Sequence, residues 1–173
     1  MATWGVLRLA AETTRSPGAI APDVAQHLDG LVPVPERAPL GGLLARLPSD
    51  VRRIVVLDAT VATDPAAGGA VARLLAADDG ADAVVTLAPL ADALKRVEGE
   101  VIVEGIARDG MWMPADPLLL DRSVLERLAA ERSDVTLGAA GAVVGELLDE
   151  GRPVRAVDPD GTARALGATV AAP

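Results

Sequence analysis

One segment near the middle of the chain constrains the fold more than any other. Ile54 to Leu57 is a short, fully apolar run that ends at Asp58, a pattern typical of a strand buried on both faces of a parallel sheet. Asp64-Pro65 then supplies an N-cap and a first helical position, and Ala70 to Ala77 supplies the helical body. Ala83 to Leu87 is a second apolar run. Strand, helix and strand within about thirty residues predict a βαβ unit.

Weaker patterns flank this unit on both sides. They predict a strand over Val6–Ala11, helical segments over Pro22–Leu28, Gly42–Leu47, Ser123–Glu131 and Ala139–Glu150, an irregular or edge-like segment over Val32–Pro39, and a last strand over Pro153–Val157. Leu94 to Val97 and Val101 to Ile106 flank Glu98-Gly99 and predict a β-hairpin. Ser123 and Glu126 fit a capping box. We therefore expect an α/β class with a mostly parallel sheet, in one domain over residues 1–173.

Several residue types are scarce, and their scarcity narrows the chemistry. Cysteine is absent, which excludes disulfides, thiolate metal sites and cysteine nucleophiles. His27 is the only histidine, so a site with several histidine ligands is excluded. Trp4 and Trp112 are the only aromatic residues, too few for a base-stacking surface. Of the 16 basic residues only Lys95 is lysine.

Charge and hydropathy restrict the partners. Sixteen basic and 25 acidic residues give a formal net charge of −9, with no basic stripe, so we expect no nucleic-acid partner. The first residues lack the pattern of a signal peptide, and the nearly uncharged stretch from Val135 to Gly145 is too short to span a bilayer. We expect a cytoplasmic protein with no membrane partner.

Five short motifs, in one order, carry a resemblance to a known family. They are Ile54-Val-Val-Leu-Asp58-Ala59, Gly80-Ala-Asp-Ala-Val-Val, Pro89-Leu-Ala-Asp92-Ala-Leu-Lys95-Arg96-Val97, Arg108-Asp-Gly-Met-Trp112 and Asp116-Pro117. Their spacing resembles that of the 2-C-methyl-D-erythritol 4-phosphate cytidylyltransferases of the non-mevalonate isoprenoid pathway. The resemblance covers about residues 50 to 130 and, faintly, the first 20. It implies a nucleotidyltransferase sheet of the glycosyltransferase-A-like type with a β-arm at about residues 90–112.

The resemblance also implies an activity and a set of site residues. The family forms 4-diphosphocytidyl-methylerythritol and pyrophosphate from CTP with magnesium, and it dimerises through the arm. Arg15 and Asp58 fall at its catalytic positions, and Asp58 would hold the magnesium ion. Asp92, Lys95 and Arg108 fall on the arm that binds methylerythritol phosphate. CTP or a phosphate is therefore the expected ligand, and a homodimer the expected assembly.

The chain departs from this family mainly where anions bind. The family's first loop reads Leu-Ala-Ala-Gly-x-Gly-Thr-Arg, whereas Leu9 to Arg15 has lost both glycines and carries Glu12. The loop lysine and the C-terminal lysine have no counterpart, and the arm's substrate-binding threonine is Ala93. Nucleotidyl transfer depends on cations and backbone donors that neutralise phosphate charge. We therefore expect that catalysis has been lost.

Three functions remain open. The first is a cytidylyltransferase-like protein that no longer catalyses and acts as a binding, scaffolding or regulatory homologue. The second is an active nucleotidyltransferase, and the third is a small-molecule or sugar-nucleotide binding module. Four of the candidate residues also have a structural alternative: Asp58 could cap backbone N–H groups, Arg15 could pair with Glu12 at the surface, and Lys95 and Arg108 could be solvated charges on an exposed hairpin.

Overall fold

A computed structural model describes residues 2–9, 20–90, 94–98, 101–106, 111–131, 136–137 and 140–166. The described strands are β1 (Ala2–Leu9), β2 (Gly30–Pro35), β3 (Val51–Asp58), β4 (Ala83–Pro89), β5 (Leu94–Glu98), β6 (Val101–Ile106), β7 (Trp112–Asp121), β8 (Val154–Val157) and β9 (Ala163–Leu166). The described helices are α1 (Pro22–Ala25), α2 (Leu40–Leu44), α3 (Ala59–Ala62), α4 (Ala67–Ala76), α5 (Arg122–Glu131) and α6 (Ala140–Asp149).

The main sheet has seven strands in the order β2-β1-β3-β7-β4-β8-β9. β1 runs parallel to β2 and β3, and β4 runs parallel to β8. β7 is antiparallel to both β3 and β4, and β9 is antiparallel to β8. The α/β class is confirmed, but the sheet is mixed rather than mostly parallel, because β7 lies between two strands of the opposite direction.

Helices cover both faces of this sheet. On one face, α2, α5 and α6 pack over a core that includes Val6, Ile54 and Leu120. On the other face, α1, α3 and α4 pack over a core that includes Leu7 and Val55. Successive residues of β1 and β3 thus enter opposite cores, which explains why these strands read as continuous apolar runs.

The predicted βαβ unit is present, with one difference at its helix. β3 and β4 run in the same direction on either side of β7. The connection holds two helices: α3 begins directly after Asp58, and α4 begins at Ala67. Asp64 accepts a hydrogen bond from the Ala66 N–H at 2.8 Å, so it stabilises the turn before α4 instead of serving as its N-cap.

Two strands and a second cap also differ from the sequence predictions. No strand was predicted over β7, because Pro114 and Pro117 argue against a central strand. The β4–β7 register shifts between Val85 and Thr86, and this bulge accommodates the chain around Pro117. β9 was also not predicted. The capping box was wrong: α5 begins at Arg122, and Asp121 accepts hydrogen bonds from the N–H and hydroxyl of Ser123 at 2.8 and 2.6 Å.

The predicted hairpin is present as β5 and β6. These strands pair antiparallel and form a two-stranded sheet of their own, separate from the main sheet. Between them and the main sheet, residues 91–93 and 107–110 are not among the described residues. Within the described part of the chain, no helix is long and apolar enough to cross a membrane.

Candidate functional site

Three charged residues meet where neighbouring strands of the main sheet end. Arg8 and Asp58 are register partners at the carboxyl ends of the parallel strands β1 and β3. Asp116 lies on the antiparallel strand β7, beside β3. The Arg8 guanidinium donates a hydrogen bond from Nη2 to Asp116 Oδ2, and the Asp58 N–H donates to the same oxygen at 2.8 Å. We call this cluster the Arg8 triad; it lies at the edge where α/β sheets bind ligands.

The ion pair of the Arg8 triad is buried. The side chains of Arg8 and Asp116 are only 8% and 10% exposed. Among the described residues, Arg8 and Arg53 are the two charged residues that are buried. A buried guanidinium is retained only with a close counter-charge, and Asp116 supplies it.

The bulge in β7 explains how Asp116 reaches Arg8. β7 pairs with β4 through Leu118 and again through Ala115, and the intervening Asp116 and Pro117 have no partner on β4. A bulge redirects side chains that regular pairing would fix. Asp116 thereby turns its carboxylate toward β3 and β1, where it bonds Asp58 and Arg8.

The Asp58 carboxylate caps a helix. Its Oδ1 accepts hydrogen bonds from the N–H and hydroxyl of Thr60, at 2.8 and 2.6 Å, and it forms the N-cap of α3. The structural alternative considered for Asp58 is therefore present. A role as nucleotide or metal ligand stays a prediction.

The other predicted site residues are less completely described. Arg15, Asp92 and Arg108 lie outside the described residues. Lys95 lies on β5, in register with Gly105 of β6. The structure therefore places Asp58 at the expected sheet edge and Lys95 on the expected hairpin, and it leaves their predicted roles untested.

Sequence reasoning missed Arg8 and Asp116 as site residues. Arg8 was visible as the one charge within an apolar strand, and such a charge requires a buried partner. That partner lies 108 positions away in the sequence. The local pattern around Asp116 gave no sign of it, because its position depends on a strand that was not predicted.

A second charged cluster lies at the opposite edge of the sheet. Arg53, on β3, is 2% exposed; its Nε donates to Asp78 at 2.7 Å and its Nη1 to the Ala81 carbonyl at 3.0 Å and Asp121 at 3.5 Å. A cavity of about 480 Å³ opens beside it. Burial raises the pKa of Asp121, but the hydrogen bonds from Ser123 and the charge of Arg53 outweigh burial, so the pKa is lowered. Because Arg53 is held by two carboxylates and a backbone carbonyl of the surrounding strands and loops, we assign this cluster to the fold.

A metal centre built by protein side chains alone is not evident in the part of the chain that the structure describes. There, no group of three or more histidine, cysteine, aspartate or glutamate side chains converges on a point that could hold an ion. At the Arg8 triad the carboxylates number two, and one of them is already paired with a guanidinium.

Solved structures share this fold at low identity. No protein-family model matches the sequence, and no curated protein matches it. The chain is 14% identical to the 4-diphosphocytidyl-2C-methyl-D-erythritol synthase of Anaerococcus prevotii DSM 20548, over 91% of this chain and 88% of that one, with a TM-score of 0.65. It is 19% identical to the 2-C-methyl-D-erythritol 4-phosphate cytidylyltransferase of Thermus thermophilus, over 95% of this chain and 92% of that one, with a TM-score of 0.62.

A third structure extends the comparison to a metal complex. A protein from Mycobacterium tuberculosis H37Rv, solved in complex with manganese, is 18% identical over 91% of this chain and 87% of that one, with a TM-score of 0.52. At identities this low, the structural similarity shows a shared fold and nothing more. The chain therefore has the α/β nucleotidyltransferase-like fold of the 2-C-methyl-D-erythritol 4-phosphate cytidylyltransferases.

Proposed function

We propose that this protein is a cytidylyltransferase-like member of the non-mevalonate isoprenoid family that has lost catalysis and acts as a binding, scaffolding or regulatory homologue. The observation that carries the proposal is the Arg8 triad. Arg8, a cation that the structure places at the ligand-binding edge, is paired with Asp116. A guanidinium held in this way has little charge left to offer a phosphate.

The sequence supports the same conclusion independently. Phosphoryl chemistry is accelerated by preorganised cations and backbone donors, and removing one such group typically costs about 10²–10³ in rate. Here Glu12 stands in the first loop, and Lys95 is the only lysine of the chain. Several such losses together leave too few anion-binding groups to sustain family-like turnover.

The test is pyrophosphate release from CTP with magnesium and methylerythritol phosphate. We expect no release above background, while the Thermus thermophilus enzyme under the same conditions serves as the positive control. A thermal-shift titration with CTP then separates two forms of the proposal. A rise in Tm would indicate retained nucleotide binding, and an unchanged Tm would direct the search to protein partners.

The alternative is an active nucleotidyltransferase that forms 4-diphosphocytidyl-2-C-methyl-D-erythritol. It is favoured by the position of Asp58 at the carboxyl end of β3. In this reading Asp58 holds magnesium, Arg15 contacts the nucleotide, and Asp92, Lys95 and Arg108 bind the second substrate. Turnover above background that Asp58→Asn abolishes would establish the alternative and overturn the loss of catalysis. The asparagine variant keeps an N-cap for α3, so a lost rate would not reflect a lost helix.

We further propose a single domain and a homodimer formed through the arm. The support is that β5 and β6 form their own two-stranded sheet. An isolated two-stranded hairpin is marginally stable in water, so packing against a second copy would stabilise it. Deleting residues 95–108 should convert the dimer to a monomer in sedimentation velocity, and a truncated chain that still dimerises would refute the arm as the interface. A cytoplasmic location stays a prediction.

A further inference from the structure

At the Arg8 triad, where the family resemblance implies a divalent ion, one oxygen of each carboxylate is already occupied by hydrogen-bond donors of the fold. Magnesium requires near-octahedral oxygen ligands at about 2.0–2.1 Å and gives up its water reluctantly. Asp116 Oδ2 already accepts hydrogen bonds from the Asp58 N–H and the Arg8 guanidinium. Asp58 Oδ1 already accepts two from Thr60. An ion bound through Asp116 Oδ2 and Asp58 Oδ1 would have to displace these donors.

Electrostatics points the same way. Arg8 carries a permanent positive charge, and its side chain is held within the sheet at 8% exposure. Water therefore screens it poorly, and its positive charge opposes the approach of a divalent cation to Asp116. Arg8 and Asp58 are also register partners on the neighbouring strands β1 and β3, so the backbone of Arg8 lies next to that of Asp58.

We propose that Arg8 is a built-in cation at this edge of the sheet and that its pairing with Asp116 excludes a divalent metal ion from Asp58 and Asp116. The guanidinium thus supplies the charge that neutralises Asp116. It also orders Asp58 through the shared oxygen, because that oxygen is fixed between Arg8 and the Asp58 N–H. Arg8 is accordingly a positioning residue, and Asp116 needs no metal ion to neutralise its charge.

The proposal predicts that removing the guanidinium uncovers a cation site. In Arg8→Leu, the Asp116 carboxylate stays buried without its counter-ion, and a metal ion becomes its favourable partner. We expect Mn²⁺, measured by the electron paramagnetic resonance of the free ion, to bind Arg8→Leu at least about tenfold more tightly than wild type, which corresponds to about 1.4 kcal/mol. Mn²⁺ at about 100 times its Kd should also raise the Tm of Arg8→Leu by roughly 5–11 °C.

Three variants of the full chain serve as controls. Arg52→Leu removes an exposed arginine of β3 at the opposite edge, and it should bind Mn²⁺ no better than wild type. Arg8→Leu combined with Asp116→Asn removes both charges, and it should lose the Mn²⁺ binding that Arg8→Leu gains. If Arg8→Leu fails to fold, Arg8→Gln keeps a neutral donor toward Asp116 and is titrated in its place.

Two results would overturn the proposal. One is wild-type protein that binds Mn²⁺ in a way that Asp58→Asn abolishes. The other is an Arg8 variant that folds and gains no affinity for Mn²⁺. The inference rests on the triad and not on the proposed loss of turnover. Pyrophosphate release by the wild-type protein without a divalent ion would refute the proposed loss of catalysis and leave the exclusion of metal by Arg8 standing. Mn²⁺ binding at Asp58 by an inactive wild-type protein would refute the exclusion of metal and leave the loss of catalysis standing.

Discussion

Removing Asp78 should destabilise the protein through Arg53, because the Arg53 guanidinium is almost fully buried beside it. The Arg53 and Asp78 side chains are 3% and 17% exposed. Breaking a buried ion pair by removing one partner costs about 3–5 kcal/mol. In Asp78→Ala, Arg53 keeps the Ala81 carbonyl at 3.0 Å and Asp121 at 3.5 Å, so we expect the lower end, about 3 kcal/mol. At about 2–4 °C per kcal/mol for a domain of this size, the Tm should fall by roughly 6–12 °C.

The assay is urea denaturation followed by circular dichroism, with Arg52→Ala as the matched control. Arg52 is the exposed neighbour of Arg53, and its loss should change the free energy of unfolding by no more than about 0.5 kcal/mol. Combining Asp78→Ala with Arg53→Met removes the stranded charge and should recover most of the stability. A double variant as unstable as Asp78→Ala would refute the reasoning, because the cause could then not be the uncompensated guanidinium.

Two further predictions concern acid stability and helix packing. The pKa of Asp121 is lower in the folded protein than its usual 3.8, so the stabilisation is present above about pH 4 and is lost as the pH falls through the folded pKa. Asp121→Asn keeps the bonds from Ser123 and should flatten the decline of unfolding free energy with acid. Gly68→Ala would place a Cβ 2.8 Å from the backbone carbon of Asp23 and should cost about 1–3 kcal/mol in urea denaturation. Gly69→Ala, with no contact nearer than 3.5 Å, should be neutral or stabilising, and equal losses would refute the close packing.

The parts of the fold that were predicted are those that local patterns determine. Val51 to Asp58 and Ala83 to Pro89 are strands because both of their faces are buried, and a fully apolar run carries that information by itself. The hairpin likewise depends on two short runs separated by a turn. Asp58 could be placed at the sheet edge for the same reason, since it directly follows a predicted strand.

The parts that were missed depend on contacts distant in the sequence. β7 contains Pro114 and Pro117, which on local grounds argue against a central strand. The strand exists because its residues Leu118 to Leu120 fill both cores between β3 and β4, and a bulge absorbs the irregularity. Once β7 is missed, the sheet reads as mostly parallel, and Asp116 has no predicted neighbour.

The two buried arginines show why burial alone does not identify a functional site. Arg53 is matched by Asp78 and Asp121 at the amino-terminal edge of β3, where the fold has no general tendency to bind ligands. Arg8 is matched by Asp116 at the carboxyl-terminal edge, where that tendency is strong. Replacing a buried ion pair by apolar residues is often neutral or stabilising, so stability does not distinguish the two pairs. What differs is the end of the strands at which each pair lies, because Arg8 is at the end where α/β sheets bind ligands and Arg53 is at the opposite end.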